Sequence, residues 1–600
     1  MNLANADIAI IFLYLALTLF AGFWIARRAS TNLESYFLGN KKIPWYYLGL
    51  SNASGMFDIS GTMWLVTLFF VYGVKSIWLP WLWPVWNQVI MMVFLSAWLR
   101  RSEALTGAEW ITFRFGDARG GRLSHLIVTV FAIVSVLGFM AYFFVGIGKF
   151  AAIFLPWNLS FGLINSEQMY ALIIMLITAI YTIKGGMYSV VFTEVLQFVI
   201  MTISCLVVGW IAFANVAPEQ LGAVTPAGWK DLFGSGTLGA DWSSYLSGVN
   251  QKISEDGFGL FLPLLGMMVF KGIFASLAGP VPSYDMQRVL AARNPAEAAK
   301  VSGLTMLVLY FPRYLMIAGF AVLGLAYLSP ELAAQGTNID FETILPLAVD
   351  RFVPPVFRGL LIAGLLAAFM GTYAATLNAT PAYLVNDFYK KYIRPDAPER
   401  TYIRFSYLAS LLLVVLGILA GFFADSINTL TLWITSALYG GYAAANALKW
   451  IWWRFNSYGY FGGMLAGLLA ATFVPRIWPE ASAIYLFPVI LLVSFVGCLA
   501  GTLLAPPDDE AVLKNFYKKT RPWGFWKPIR LKVQAEDPDF QANRDLGRDS
   551  FNVLTGIIWQ TSLTVLPVWL ILHDFANAGI SVMVLLLTTW LLKRYWYDRL

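Results

Sequence analysis

The segment WYYLGLSNASGMFDISGTMWLV, residues 45–66, is the most informative part of the chain. Both of its ends are as apolar as a membrane-spanning helix, but its middle holds small and polar residues, including Asp58 and Ser60. Non-helical backbone at membrane depth is tolerated only where it is buried in protein or lines a cavity. The segment therefore predicts a spanning helix that is interrupted at a binding site.

The overall composition is that of a membrane protein. Of the 600 residues, 59% are hydrophobic and 12% are charged, whereas soluble domains carry about 25% charged residues. This excludes a soluble multidomain enzyme and a disordered chain. With two cysteines, two histidines and no catalytic motif, we expect no disulfide scaffold, no zinc site, no cofactor and no enzymatic activity.

Apolar segments long enough to span a membrane recur along the chain and predict an all-α polytopic protein with about fifteen transmembrane helices. A second interrupted span, residues 256–279, lies five spans after the first. Because five is odd, the second copy would enter the membrane inverted. Interrupted helices at matching positions indicate the midplane binding site of a secondary transporter. The alternative is that the glycines only permit close helix packing.

The distribution of basic residues predicts the orientation. With the N-terminus outside, most of the 41 Lys and Arg residues fall on the inner side of the membrane, as the positive-inside rule requires. We therefore expect an integral protein of a bacterial inner membrane with a cytoplasmic C-terminus. The positive-inside rule then explains the net charge of +7, and nucleic acid is not expected as a partner. The inner segment 506–550 is expected to pack under the helix bundle.

Ionisable side chains inside the predicted spans are candidate functional residues, because such groups are costly in a membrane. Asp58, Ser60 and nearby carbonyl oxygens could converge on a hard cation. Arg313 could bind a substrate carboxylate through its bidentate fork, or pair with an internal acid. Glu194 could be a solvated helix cap or a partner of the cation site. Trp86, in a tryptophan cluster, could stack on a sugar or belong to an outer aromatic belt.

Four segments carry a resemblance to a known family: SYFLGNKKIPWYYLGLS at 35–51, KGGMYSVVFTEVLQ at 184–197, DMQRVLAARNPAEA at 285–298, and AAFMGTYAATLN with NDFYKKY at 367–392. Over about residues 1–505 the chain resembles the sodium:solute symporter family, which includes sodium/glucose, sodium/proline and sialic acid transporters. The resemblance implies sodium-coupled symport of a small organic solute by alternating access. It also implies a five-plus-five inverted-repeat fold of the leucine-transporter type with flanking helices.

This fold implies a division of the chain into six parts. They are an N-terminal flanking helix at 1–30, a first repeat at 43–215, a second repeat at 256–452, flanking helices at 458–505, a cytoplasmic loop at 506–550 and C-terminal transmembrane helices at 551–600.

The resemblance also implies a sodium site, with sodium as the coupling ion. Its ligands would be the carbonyl oxygens of Met56, Ile59 and Ala368 and the side chain of Thr372. Asp58 and Ser60 match the proline-transporter branch and are further candidates.

Two departures from the family pattern affect the coupling and the solute. Gly371 stands where the family has a hydroxylic sodium ligand. One sodium ligand is therefore missing, or Asp58 or water supplies it. We expect one sodium per cycle. A sugar or acidic sugar is favoured as solute, and the alternatives are a proline-like amino acid or a non-transporting sensor on the same fold. The candidate solute contacts are Met63, Trp86, Gly279 and Arg313.

Overall fold

The computed structural model describes residues 3–26, 32–82, 85–234, 236–280, 284–336, 339–423, 433–479, 481 and 483–600. Within these ranges the chain forms helices and no β-strand. This is the expected solution for an apolar chain, because lipid offers no hydrogen-bond partners and a helix satisfies its backbone internally.

The α-helices of the first half, within the described residues and in chain order, are Asn5–Ala26, Leu33–Leu38, Trp45–Gly55, Ile59–Tyr72, Asn87–Ile90, Ser96–Arg100, Gly107–Phe115, Arg119–Phe154, Ser166–Asn215, Pro218–Val224, Ser247–Asp256 and Phe261–Leu277. Those of the second half are Tyr284–Ala291, Pro295–Ala333, Ile344–Phe352, Phe357–Ala379, Pro381–Leu384, Glu399–Phe422, Tyr439–Ile451, Ser457–Ile477, Ala483–Leu504, Glu510–Thr520, Lys527–Glu536, Leu546–Ile571 and Phe575–Tyr595.

The predicted interruption of the helix at 45–66 is confirmed. One helical half ends at Gly55 and the next begins at Ile59. Asp58 caps the second half, since its backbone is extended and its carboxylate accepts a hydrogen bond from the backbone N–H of Gly61. A carboxylate at this position accepts from a backbone N–H that has no partner within the helix. Its negative charge also interacts favourably with the positive end of the helix dipole. The second break follows Phe261–Leu277, where Gly279 has a φ of +80°.

The segment Ser166–Asn215 folds back on itself at Gly186. This residue has φ 54° and ψ −159°, which is outside the helical region. The side chains of Tyr181 and Gln197, on either side of it, interact, although a straight helix would hold them about 24 Å apart. The segment therefore forms two antiparallel spans.

In the described ranges, eleven helices are long and apolar enough to cross a membrane, and a bent pair, Ser247–Asp256 with Phe261–Leu277, adds a twelfth. The expected number of about fifteen is not confirmed. The count of eleven takes Ser166–Asn215 as one helix, although this segment folds back at Gly186. The expected number counts it as two spans. It also counts stretches near 79 and 429 that the structure forms from short helical pieces or leaves outside the described residues.

The segment 506–550 packs against one end of the bundle. Trp526, from its second helix, is buried and donates from Nε1 to the carbonyl of Trp450 at 2.8 Å. The guanidinium of Arg114 lies 4.9 Å from the Trp526 ring and 5.0 Å from the Phe516 ring. These contacts join the segment to two parts of the bundle, as the sequence predicts.

Candidate functional site

A cavity of about 170 Å³ lies at the break of the first interrupted helix. It also receives residues that follow the second break. Its walls include Met56, Asp58, Gly61, Trp64, Asn87, Gln88, Phe139, Tyr142, Phe143, Tyr284, Asp285, Tyr310, Arg313, Tyr314, Thr372, Thr376 and Tyr439. Residues of the first break and residues that follow the second therefore line one cavity, which is the arrangement expected at the binding site of a secondary transporter.

Asp58 is held in the cavity wall by groups from three helices. One carboxylate oxygen, Oδ1, accepts from the Gly61 N–H and from the Tyr142 hydroxyl, the latter at 2.8 Å. The other oxygen, Oδ2, lies 4.0 Å from Nη2 of Arg313. The hydrogen bonds and the opposite charge offset the cost of burying a carboxylate.

Arg313 connects the carboxylate of Asp58 to the backbone at the helix break. Its Nη1 donates to the carbonyl oxygen of Met56 at 3.1 Å, and its guanidinium lies 5.3 Å from the ring of Phe57. Pairing with an internal acid was one of the two alternatives for this residue. Because Arg313 also lines the cavity, the contact with a solute stays a prediction.

Thr372 brings the helix Phe357–Ala379 to the same break. Its hydroxyl donates to the carbonyl of Ala368 at 3.1 Å and lies 3.4 Å from the carbonyl of Phe57. Of the predicted sodium ligands, Thr372, Met56 and Asp58 thus share the cavity wall.

The other predicted ligands lie behind this wall. Ile59 and Ala368 are fully buried and do not line the cavity. Ser60 faces the helix Arg119–Phe154, since a Cβ on Gly146 would come within 1.7 Å of the Ser60 hydroxyl oxygen. The Met56 carbonyl is engaged by Arg313, so the expected ligand set is only partly free for an ion.

Glu194 forms a buried ion pair. Its Oε2 accepts from Nη2 of Arg288 at 2.7 Å and from the Ser51 hydroxyl, and both charged side chains are wholly buried. Of the two alternatives for Glu194, the solvated cap is therefore wrong, because the pair is closed to solvent. Its role as a partner of the cation site stays a prediction. The nearby Gly371 faces the polar side chains of Ser54 and Gln197, whose oxygens would lie 3.1 Å from an added Cβ.

Three of the four predicted solute contacts lie outside the cavity wall. Met63 is buried outside the cavity wall, and Trp86 packs against Gly272. Gly279 lies against Leu95 and does not line the cavity either. The cavity is lined instead by Trp64, Asn87, Gln88 and Tyr284. Of the four candidates, Arg313 alone is among the described lining residues.

Sequence reasoning missed Asp285 and the tyrosines of the cavity wall. Asp285 follows the Gly279-Pro280 break, so the argument applied to Asp58 could have found it. Its Oδ1 is buried and has no hydrogen-bond partner among the described residues. Tyr142, Tyr310 and Tyr439 come from three different helices, and no spacing in the sequence indicates that they meet.

The chain is similar to known transporters. The family model described as the sodium:solute symporter family matches residues 36–467. A sodium/mannose cotransporter of Bos taurus is 26% identical over 89% of this chain and 92% of its own. A sodium/glucose cotransporter of Vibrio parahaemolyticus is 23% identical over 79% and 86%, and sodium/myo-inositol cotransporter 2 of Mus musculus is 26% identical over 78% and 69%.

Among solved structures, a Na⁺-coupled sialic acid symporter in a substrate-bound outward-open state covers 84% of this chain and 99% of its own. The TM-score is 0.63 at 16% identity, which shows a shared fold. With the helical architecture and the two breaks, this confirms the expected fold class.

Proposed function

Because the chain belongs to the sodium:solute symporter family, we propose that it carries a neutral polyhydroxylated solute, a sugar or polyol, together with one sodium ion. Family membership makes it an integral membrane protein and a sodium-coupled solute symporter. Relatives named for mannose, glucose and myo-inositol support the class of solute.

The single observation that supports a neutral solute is the net charge of the residues that line the cavity. Its described lining holds two carboxylates, Asp58 and Asp285, and one guanidinium, Arg313. One sodium ion balances this set, and a neutral solute preserves the balance. An acidic sugar would add an uncompensated charge in a site where buried charges must be paired. The free Oδ1 of Asp285 suits a solute hydroxyl, as do the amides of Asn87 and Gln88.

Sodium would bind where Met56, Asp58 and Thr372 meet, since hydroxyl, carboxylate and carbonyl oxygens suit hard cations. An ion at the Met56 carbonyl would repel the Arg313 guanidinium, so we expect this side chain to leave that oxygen and turn to the solute. Sodium binding would tie the broken helix to the helix Phe357–Ala379 and shift the population toward the outward-open form. The membrane potential adds about 2.3 kcal/mol per charge per 100 mV.

A second candidate solute is a zwitterionic amino acid. Arg313 and Asp285 carry opposite charges on the walls of the same cavity. The guanidinium would bind the carboxylate of such a solute, and Asp285 would bind its ammonium group. This candidate keeps the same charge balance as a sugar, so only a solute panel separates the two.

The test is uptake into proteoliposomes of labelled mannose, glucose, myo-inositol, glucuronate and proline, with an inward gradient of sodium or of potassium. We expect one neutral sugar or polyol to accumulate with sodium and not with potassium. Asp285→Asn should weaken its binding, while Thr380→Ala, outside the cavity, should not. Accumulation of glucuronate or proline alone would overturn the solute class, and solute binding without flux would favour a sensor.

We further propose a bacterial inner membrane as the location, with the N-terminus outside and the C-terminus in the cytoplasm. The distribution of basic residues supports this orientation. Both native cysteines, Cys205 and Cys498, are buried. The Leu600→Cys variant should therefore be labelled by a membrane-impermeant maleimide from the cytoplasmic side alone. Labelling of intact cells from outside would reverse the topology.

A further inference from the structure

A second cavity, separate from the transport site, lies between the start of the helix Pro295–Ala333 and the end of the helix Phe575–Tyr595. Its volume is about 330 Å³. Residues of its wall include Lys300, Leu304, Leu307, Trp559, Lys593 and Trp596. We call it the C-terminal groove, and it shares no lining residue with the transport cavity.

The mouth of the C-terminal groove is cationic. The Nζ of Lys300 lies 5.0 Å from the Tyr597 ring and 5.9 Å from the Trp45 ring, and no carboxylate in the described part of the chain pairs with it. Lys593, on the opposite wall, pairs with Asp598 at 3.0 Å. Two ammonium groups and one carboxylate therefore leave a net positive charge at the mouth.

The floor of the groove is apolar and runs toward the membrane interior. Leu307 lies two turns beyond Lys300 on one helix, a rise of about 10 Å. Leu307 is 51% exposed and would face lipid. Trp45, Trp596 and Tyr597 also line the groove, and the rings of Trp45 and Tyr597 lie beside Lys300. Such aromatic residues are typical of the interface between headgroups and acyl chains. The positive charge would thus lie at headgroup level and the apolar floor at acyl-chain level.

We propose that the C-terminal groove binds one anionic phospholipid. Its phosphate would lie between Lys300 and Lys593, and an acyl chain would follow Leu304 and Leu307. A basic pocket between transmembrane helices is a recognised site for anionic headgroups. The bound lipid would join the C-terminal helix to the transport bundle, beside the hydrogen bond from Trp596 Nε1 to the Met92 carbonyl.

The test is native mass spectrometry of the purified full chain, titrated with dioleoyl phosphatidylglycerol or dioleoyl phosphatidylcholine. We expect phosphatidylglycerol to bind more tightly. Lys300→Gln and Lys593→Gln should each weaken it about fivefold, which corresponds to about 1 kcal/mol per basic residue. Lys593 is 66% exposed, so its variant keeps the test valid if Lys300→Gln does not fold.

Lys390→Gln is the matched control. Lys390 also lies over an aromatic ring, 5.3 Å from that of Tyr402, but outside the groove. The Lys390→Gln variant should leave lipid binding unchanged. The proposal is overturned if phosphatidylcholine binds equally well, if the control weakens binding as much as Lys300→Gln, or if inorganic phosphate competes as well as the lipid does.

Discussion

The guanidinium of Arg313 donates a hydrogen bond of 3.1 Å to the carbonyl oxygen of Met56. A cation tethered to one helix thus occupies an oxygen that the family resemblance assigns to sodium. The same guanidinium lies 4.0 Å from Asp58. Sodium and Arg313 would therefore compete for the same oxygens, which links ion binding to the position of a residue in the solute cavity.

Replacing Arg313 should raise the affinity for sodium. Arg313→Gln removes the competing charge and leaves Asp58 to attract the ion. Hydrogen bonds to charged groups contribute about 1.5–3 kcal/mol, so we expect the half-saturating sodium concentration to fall about tenfold. Sodium binding can be measured by a scintillation proximity assay on the purified protein. Arg313→Lys, which keeps the charge, should change it less, and a lower affinity in Arg313→Gln would contradict the competition.

Removing the Thr372 hydroxyl should have the opposite effect. Thr372→Ala deletes an oxygen at the junction of two helices, and we expect sodium affinity to fall about tenfold, the equivalent of roughly one hydrogen bond. Thr372→Ser should retain most of it. Thr380→Ala is the control, because Thr380 makes the same bond to its own helix, 2.8 Å to the Thr376 carbonyl, outside the cavity. If Thr372→Ala and Thr380→Ala lowered the sodium affinity equally, the loss would be a general effect on the helix.

The buried pair of Glu194 and Arg288 should be necessary for stability. Breaking a buried ion pair from one side costs about 3–5 kcal/mol, because an unpaired charge remains. Glu194→Gln should therefore lower the thermal unfolding temperature of the purified protein. The double variant Glu194→Gln with Arg288→Gln should recover part of the loss. If the loss of stability in the double variant equalled the sum of the losses in the two single variants, the two side chains would not be coupled.

The segment 506–550 should stabilise the bundle through Trp526. Trp526 is 1% exposed and packs on Arg114, whereas its neighbour Phe525 is 72% exposed. Trp526→Ala should cost about 3–5 kcal/mol, as expected for a large aromatic removed from a packed site. Phe525→Ala should cost less than about 1 kcal/mol. Equal effects on the unfolding temperature would argue against the packing role.

The sequence predicts the helix break because its cause is local. Asp58, Ser60 and the glycines near them are incompatible with a lipid-facing helix, whatever lies around them. The contact between Arg313 and Met56 joins residues 257 positions apart, and no periodicity reports such a pairing. The orientation of Gly371 toward Ser54 and Gln197 likewise depends on how helices rotate against each other. Local chemistry was predictable, but side-chain direction and tertiary pairing were not.

The central claim is that one sodium ion accompanies one neutral solute. The most direct test is the charge moved per solute, obtained from solute-induced current and labelled uptake in the same proteoliposomes. The account predicts one elementary charge for each solute molecule, and no current when potassium replaces sodium. No charge per solute would indicate an anionic solute or lost coupling, and two charges would indicate a second ion; either result would contradict the account.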